Sequence, residues 1–334
     1  MIVHICCSVD SWYFLTKMRE KYPNESITGF FYNPNICPQS EYLARMIDAK
    51  RCCDRLKIEF AQGEYDDLRF IAAARGLENE PEKGKRCASC FDLRLDKTAQ
   101  EAASRGEKRF TTTLLISPKK DLAQLRTAAQ TIAARYDLEF VFEDFRKGGG
   151  TQEAFALARE KEAYFQNYCG CAWALIKQRG FATELICAIG GVSGKTAGEL
   201  RLEALKERSR LENEGQNASL FKRKKVMWSL LSASLSFEKG GERTRIVCDA
   251  APYSASLKTR SRLIFVQKGI ARFEKTAGFV VERAIAKPEN ARAVLGLGDW
   301  DITPIFIVEK LLDGVAKAAI ESVFSEEEIF DIGR

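Results

Sequence analysis

Short apolar runs at residues 1–5, 27–32, 56–60, 110–116 and 138–142 punctuate the first 190 positions. β-branched and aromatic side chains dominate them, as in ITGFFY and LEFVF, so each predicts a buried strand. The stretches between and after them predict helices over 11–21, 40–55, 91–105, 120–136 and 151–167. Within 40–55, Leu43, Met46, Ile47 and Lys50 fall at i, i+3, i+4 and i+7, which predicts the buried stripe of that helix, Lys50 being its polar member. Strand and helix alternate throughout, so the predicted fold is α/β, a doubly wound, mostly parallel sheet.

The pattern changes after residue 190. Residues 191–217 are densely charged and predict a helical connector. Beyond them, Leu231, Ala233, Leu235 and Phe237 alternate, and apolar runs recur at 245–247, 263–266, 279–281 and 305–308. A last helix is predicted over about 309–324. The organisation expected is a catalytic domain over 1–190, a connector over 191–217 and an α+β accessory domain over 218–334.

Composition narrows the class. The chain has 334 residues, 46% of them hydrophobic, enough for one large core or two modest ones. It lacks an apolar run of about 18 residues and a basic-then-apolar leader, so no membrane partner is expected and the cytoplasm is the expected compartment. The formal net charge of +6, from 52 basic and 46 acidic residues, permits a polyanionic partner without demanding one.

Cysteine usage changes the picture most. Eleven cysteines, an odd number, argue against a disulfide framework in such a compartment. Six of them form the pairs Cys6 and Cys7, Cys87 and Cys90, and Cys169 and Cys171. Open parallel sheets bind ligands beyond the carboxyl ends of their strands. Cys6 and Cys7 follow the first predicted strand, Tyr32, Asn33 and Asn35 the second, Lys119 and Lys120 the fourth, and Arg146 and Lys147 the fifth. The second cysteine pair is predicted just before a helix and the third at the end of one, from where both can fold over that edge. Thiolate pairs at such spacing grip metal, with Asp10 as a nearby oxygen donor. Spacing alone leaves two readings open: an iron–sulfur cluster with a further metal, or a zinc site from two pairs with the third pair buried or redox-active.

Other features read more plainly. His4, the one histidine, shares a strand face with Cys6 and is either a ligand or a buried, backbone-satisfied residue. Cys37, Cys52, Cys53, Cys187 and Cys248 read as small hydrophobes. Residues 189–196 (IGGVSGKT) fail the glycine count of a P-loop and read as a turn. Gly148, Gly149 and Gly150 read as a flexible loop before a helix.

The stretch CCSVDS at 6–11 resembles the SGGxDS signature of tRNA-modifying ATP pyrophosphatases, with cysteines in its first two places and Ser8 for the second glycine. Without the glycine pair, close backbone approach to phosphate is hindered. Taken with His4, Asp10, Tyr32-Asn33-Pro34-Asn35-Ile36, Pro38, Glu41-Tyr42, Arg45, Gly84-Lys85-Arg86-Cys87, Cys90-Phe91, Leu93-Arg94-Leu95, Phe110-Thr111-Thr112-Thr113-Leu114, Ser117-Pro118, Lys120 and Tyr168-Cys169-Gly170-Cys171, it resembles the epoxyqueuosine reductase QueH family over about residues 1–175.

The resemblance implies a fold related to the ATP pyrophosphatases. It also implies removal of the epoxide oxygen of epoxyqueuosine at the wobble position of a tRNA with a GUN-type anticodon. It implies a [4Fe–4S] cluster beside one additional iron, and an electron donor that the sequence leaves unidentified. Carried over, the ligands are Cys6, Cys7, Asp10, Cys87, Cys90, Cys169 and Cys171, four thiolates on the cluster and two with Asp10 on the iron. Adjacent residues in a strand-to-loop turn point different ways, which is expected to send Cys6 and Cys7 to different centres. Asp10 is the expected catalytic residue, through the iron that takes the epoxide oxygen. Lys119, Lys120, Arg146 and Lys147 are expected on phosphates, Tyr32 and Tyr168 on bases, and Asn33 and Asn35 on the substrate. Lys222, Arg223, Lys224 and Lys225 would extend the tRNA grip, unless the accessory domain serves dimerisation or structure. The competing classes are an ATP-dependent tRNA thiolase and a non-catalytic, zinc-stabilised RNA-binding protein.

Overall fold

The computed structural model describes residues 1–179, 197–237, 244–245, 258–273, 278–287, 290–297, 305–308 and 315–333. The chain forms two compact units. The first comprises Met1–Gly180, Ala204–Leu220 and Ile332–Arg334, the second Phe181–Glu203 and Phe221–Asp331.

The first unit is built on five strands, β1 (Ile2–His4), β2 (Thr28–Phe31), β3 (Glu59–Gln62), β4 (Arg109–Thr112) and β5 (Glu139–Phe140), in the order β3-β2-β1-β4-β5. Every pairing is parallel. Successive side chains leave opposite faces of a strand, so the apolar runs feed two cores at once. Val3 and Phe31 pack with Trp12, Phe14, Met18, Ala49 and Ala154 from helices α1 (Ser8–Lys21), α2 (Gln39–Arg55) and α6 (Gly150–Glu160). Ile2, Phe30 and Phe110 pack on the other face with Leu95, Ala99, Leu125 and Ala129 from α4 (Lys85–Ser104) and α5 (Leu122–Arg135). A short α3 (Asp67–Ala74) precedes α4, and α7 (Ala172–Arg179) follows α6. The sheet is therefore the doubly wound α/β fold that the pattern predicted.

Gly29, at the centre of β2, is demanded by packing. A β-carbon there would stand 2.5 Å from Ile5 Cδ1 and 2.8 Å from Cys53 Sγ. Gly29→Ala is expected to cost about 1–3 kcal/mol through overpacking, read as a lower urea midpoint; an unchanged midpoint would contradict this packing.

Four local expectations are corrected. The run 110–116 is a strand only to Thr112, because Thr112 Oγ1 accepts from Leu114 N (3.1 Å) and starts a 3₁₀ turn over Thr113–Leu115. α4 begins at Lys85 behind Gly84, so Cys87 and Cys90 lie inside the helix rather than before it. α6 stops at Glu160. Glu162 is left-handed (φ 49°) and Ala163 N donates to Ala158 O (2.8 Å), a Schellman-type stop, so Cys169 and Cys171 precede α7 instead of closing a helix. On α2 the buried face holds Glu41, Tyr42, Ala44, Arg45, Asp48, Ala49, Cys52 and Cys53, not the predicted stripe. Charges win that face because their partners are buried with them: Arg45 Nε donates to Glu41 Oε1 at 2.8 Å.

The stretch read as a connector is helix α8 (Ala197–Asn213) where it is described, and its residues from Ala204 onward count in the first unit. The P-loop-like stretch, Cys187 and Cys248 lie outside the described residues.

The second unit carries a seven-stranded sheet in the order β11-β10-β9-β8-β12-β6-β7. Its strands are β6 (Ser219–Phe237), β7 (Thr244–Arg245), β8 (Lys258–Gln267), β9 (Ile270–Phe273), β10 (Phe279–Glu282), β11 (Ile305–Val308) and β12 (Val315–Gly333). The predicted last helix is corrected from residue 315 onward, where β12 runs antiparallel to β8 with Glu321 opposite Lys258. The Ala, Glu and Lys content there favours helix locally, and strand pairing overrides it. Lys222 pairs with Glu328 (2.8 Å) and Arg223 with Asp331 (2.7 Å), which spends both charges within this unit. Among the described residues no helix is long and apolar enough to cross a membrane.

Candidate metal centre

The strand order reverses at β1, with β2 on one side and β4 on the other, and a crevice opens beyond their carboxyl ends. Cys6 and Cys7 sit there. Ile5 N still donates to Phe30 O (2.8 Å), and Asn33 Nδ2 donates to Ile5 O (2.8 Å), so the strand holds its shape up to the first thiol. Cys6 N donates to Thr113 Oγ1 (3.3 Å) on the 3₁₀ turn, and Cys7, in extended backbone, caps α1. Asp10 follows in the first helical turn, where the helix dipole favours a carboxylate.

These three side chains converge. Cys6 Sγ lies 3.6 Å from Cys7 Sγ and 3.4 Å from Asp10 Oδ2, and all three donor atoms fall within 4.8 Å of one another. The adjacent thiols thus turn to one point, against the expectation that they diverge; the chain bends at Cys6, between the end of β1 and the start of α1. Two thiolates each about 2.3 Å from one ion at tetrahedral angles would stand about 3.8 Å apart, so the spacing fits a single ion. The charges fit as well. A hydrogen bond from Cys7 draws the Cys6 pKa down to about 5, while donating that bond, and burial, push Cys7 up. Burial, then the Cys6 thiolate, hold the Asp10 carboxyl well above its usual range. Three donors that resist ionising together are what a cation stabilises.

The other four cysteines come from α4 and from the loop between α6 and α7. Cys90 and Cys171 are buried in one cluster with Phe70, Ala74 and Ala174, and Cys169 packs against it. Each thiol accepts a donor. Lys83 N reaches Cys87 Sγ (3.3 Å), Arg94 Nη1 reaches Cys90 Sγ (3.5 Å), Lys120 Nζ reaches Cys169 Sγ (3.0 Å) and Ala174 N reaches Cys171 Sγ (3.4 Å). Burial disfavours a thiolate at Cys169, but Lys120 and Arg94 outweigh it and the pKa falls. Burial raises Cys90, and raises Cys171 to about 11.

A cavity of about 330 Å³ has Cys6, Asp10, Arg94, Lys120, Tyr168 and Cys169 on its wall. A larger groove of about 650 Å³ between α4 and α5 is lined without a thiol.

The sequence-predicted residues divide. Lys119, Lys120 and Tyr168 line the cavity. Arg146 instead braces backbone, donating to Leu115 O (2.7 Å), Lys120 O (3.0 Å) and Leu114 O (3.3 Å). Lys147 is exposed off the cavity wall. Tyr32 is buried against Phe30 in the core, and its ring is kept from solvent. Asn33 locks Ile5, and Asn35 lies beside Gly170, whose β-carbon would stand 3.2 Å from Asn35 Nδ2. His4 is fully buried, its Nδ1 against Thr112 Oγ1 (2.9 Å) and its Nε2 against Tyr32 O (3.2 Å). Burial, then Arg94, lower its pKa well below the usual value, so it is a neutral, backbone-satisfied residue.

Residue patterns gave no role to Arg45, Arg94, Gln166, Asp48 or Arg208. Arg45 Nη1 and Nη2 donate to Cys169 O (3.1 Å) and Tyr168 O (3.0 Å), and Gln166 Nε2 donates to Cys7 Sγ (3.2 Å). The spacing of Cys90 and Arg94 at i, i+4 was the available signal for Arg94.

The model of the family described as "Epoxyqueuosine reductase QueH" matches residues 1–177. A Helicobacter pylori protein named epoxyqueuosine reductase QueH is 36% identical, covering 99% of this chain and 99% of its own. One of the same name from Thermotoga maritima is 37% identical over 54% of this chain and 92% of its own. A U34-tRNA thiolase from Methanococcus maripaludis, solved with its [4Fe–4S] cluster, overlays with a TM-score of 0.36 at 13% identity, over 64% of this chain and 73% of that one.

Proposed function

The chain belongs to the epoxyqueuosine reductase QueH family and is an epoxyqueuosine reductase; on that premise we propose that it works with two metal centres. Cys6, Cys7 and Asp10 hold one iron, and Cys87, Cys90, Cys169 and Cys171 hold a [4Fe–4S] cluster. The observation that carries this division is the convergence of two thiols and a carboxylate within 4.8 Å, apart from the four thiols supplied by α4 and the 161–171 loop. The substrate is a tRNA with a GUN-type anticodon carrying epoxyqueuosine, met in the cytoplasm, and an external donor supplies electrons. The centre belongs to residues 1–190, and 218–334 form an accessory domain.

The reaction takes an epoxide, two electrons and two protons to an alkene and water. When bound, the cluster supplies electrons and the iron a Lewis acid. The protein's own residues supply the setting. Arg94 and Lys120 place cations on the cavity wall, which favours negative charge developing on the departing oxygen. Burial opposes the charge on Lys120, but the Cys169 thiolate more than offsets it, so Lys120 keeps its proton at Nζ. Phe155, Phe165 and Tyr168 line the cavity with apolar surface that limits water. Lys119, exposed at the mouth, suits a phosphate of the anticodon loop.

Anaerobic protein with dithionite and tRNA bearing epoxyqueuosine is expected to yield queuosine, read as the loss of one oxygen from the nucleoside mass. Unchanged nucleoside with metal-loaded protein would reject the proposal.

A further inference from the structure

Asp48 is a fully buried carboxylate at the rear of the site. One oxygen, Oδ2, accepts from the Ser8 hydroxyl and from Tyr164 N (2.6 Å). Ser8 directly follows Cys7, and Tyr164 opens the part of the loop that leads to Cys169 and Cys171. The other oxygen, Oδ1, is paired with Arg208 Nη2, while Arg51 stands farther off at 3.8 Å. Arg208 is itself buried, and its Nη1 donates to Glu162 O (2.7 Å), at the left-handed residue that ends α6 and turns the chain into the cysteine loop. The guanidinium therefore touches that loop directly at Glu162, and through Asp48 both at Tyr164 and at Ser8.

Arg208 lies beyond the region matched by the family model, in the helix expected to be only a connector. We propose that Arg208 is a positioning residue of the reductase: by neutralising Asp48 and holding Glu162, it sets the loop after Cys7 and the loop before Cys169 in register with each other. Its importance for turnover rests on the ligand assignment proposed above; its control of the loops does not. A buried pair that loses one partner leaves an uncompensated charge, whereas removing both charges together is tolerated. The variants that separate these cases are Arg208→Met, Asp48→Asn and their combination.

The first readout is hydrogen exchange in metal-free protein, which is independent of any ligand assignment. Arg208→Met is expected to speed exchange of the 161–171 backbone by about tenfold or more while α5 stays at the wild-type rate, as for local opening. The double variant is expected to recover the part of that protection lost to the uncompensated Asp48 charge, though not the part owed to the Glu162 contact. In metal-loaded protein, Arg208→Met is expected to lower kcat by about 100-fold with little change in KM for the tRNA, the size of a small misplacement of reacting groups. Exchange that is unchanged, or raised equally in α5, would overturn the proposal, as would a double variant no better than Arg208→Met. Should Arg208→Met not fold, Arg208→Lys keeps the charge but loses the two-pronged reach, and unaltered exchange at 161–171 in that variant would overturn it equally.

Discussion

Asp10→Asn is expected to lower turnover on epoxyqueuosine tRNA by about 10²–10³-fold while leaving most of the visible cluster absorbance in place. Asparagine keeps the shape and one oxygen but removes the charge, and Asp10 stands with Cys6 and Cys7 rather than with the other four thiols. Iron should fall by about one per chain, with sulfide unchanged. A stability readout runs the opposite way. The buried Asp10 carboxyl has its pKa raised above the unfolded value, so its contribution to the metal-free fold is fully present below about pH 3.9 and is lost as pH rises through the folded value. Metal-free Asp10→Asn should therefore be at least as stable as wild type at neutral pH, by urea denaturation. Loss of the cluster absorbance together with turnover would contradict the division of ligands.

Arg45→Met should be the more damaging change to the fold. Arg45 and Glu41 are each 3% exposed at their side chains, so solvent screens the pair little. The guanidinium also holds the Tyr168 and Cys169 carbonyls and lies over the Tyr168 ring, its centre 5.3 Å from the ring centroid. Its removal leaves Glu41 buried with the Tyr164 hydroxyl (2.6 Å) as its remaining bonded partner among those described, at a cost of about 3–5 kcal/mol. The 161–171 loop loses its anchor at the same time, so the variant should also bind less iron. Arg45→Met/Glu41→Gln should recover a large part of the stability. A denaturation midpoint for Arg45→Met close to that of wild type would contradict this account of the loop.

Much of this was legible in the chain because strands and thiols have short-range signatures. The five apolar runs became the five parallel strands, and Cys6 and Cys7 lie at the sheet edge where a parallel fold binds ligands, with Cys169 on the wall of the same cavity. What escaped was decided by partners distant in sequence. Glu41, Arg45 and Asp48 look like the solvent face of α2 until the loop and Arg208 arrive to pair them. Arg146 reads as a phosphate ligand by position, yet backbone carbonyls of the loop after β4 take its donors. The stop at Glu160 depends on a non-glycine left-handed residue, for which composition gives no cue. β12 is helical by local preference and a strand by pairing.

The proposed function places two kinds of metal centre at one sheet edge. The most direct measurement is iron and acid-labile sulfide content of anaerobically prepared protein, with the visible spectrum taken before and after reduction. The account predicts about five iron and about four sulfide per chain, with absorbance that bleaches on reduction. Zinc in place of iron, without sulfide, would contradict it.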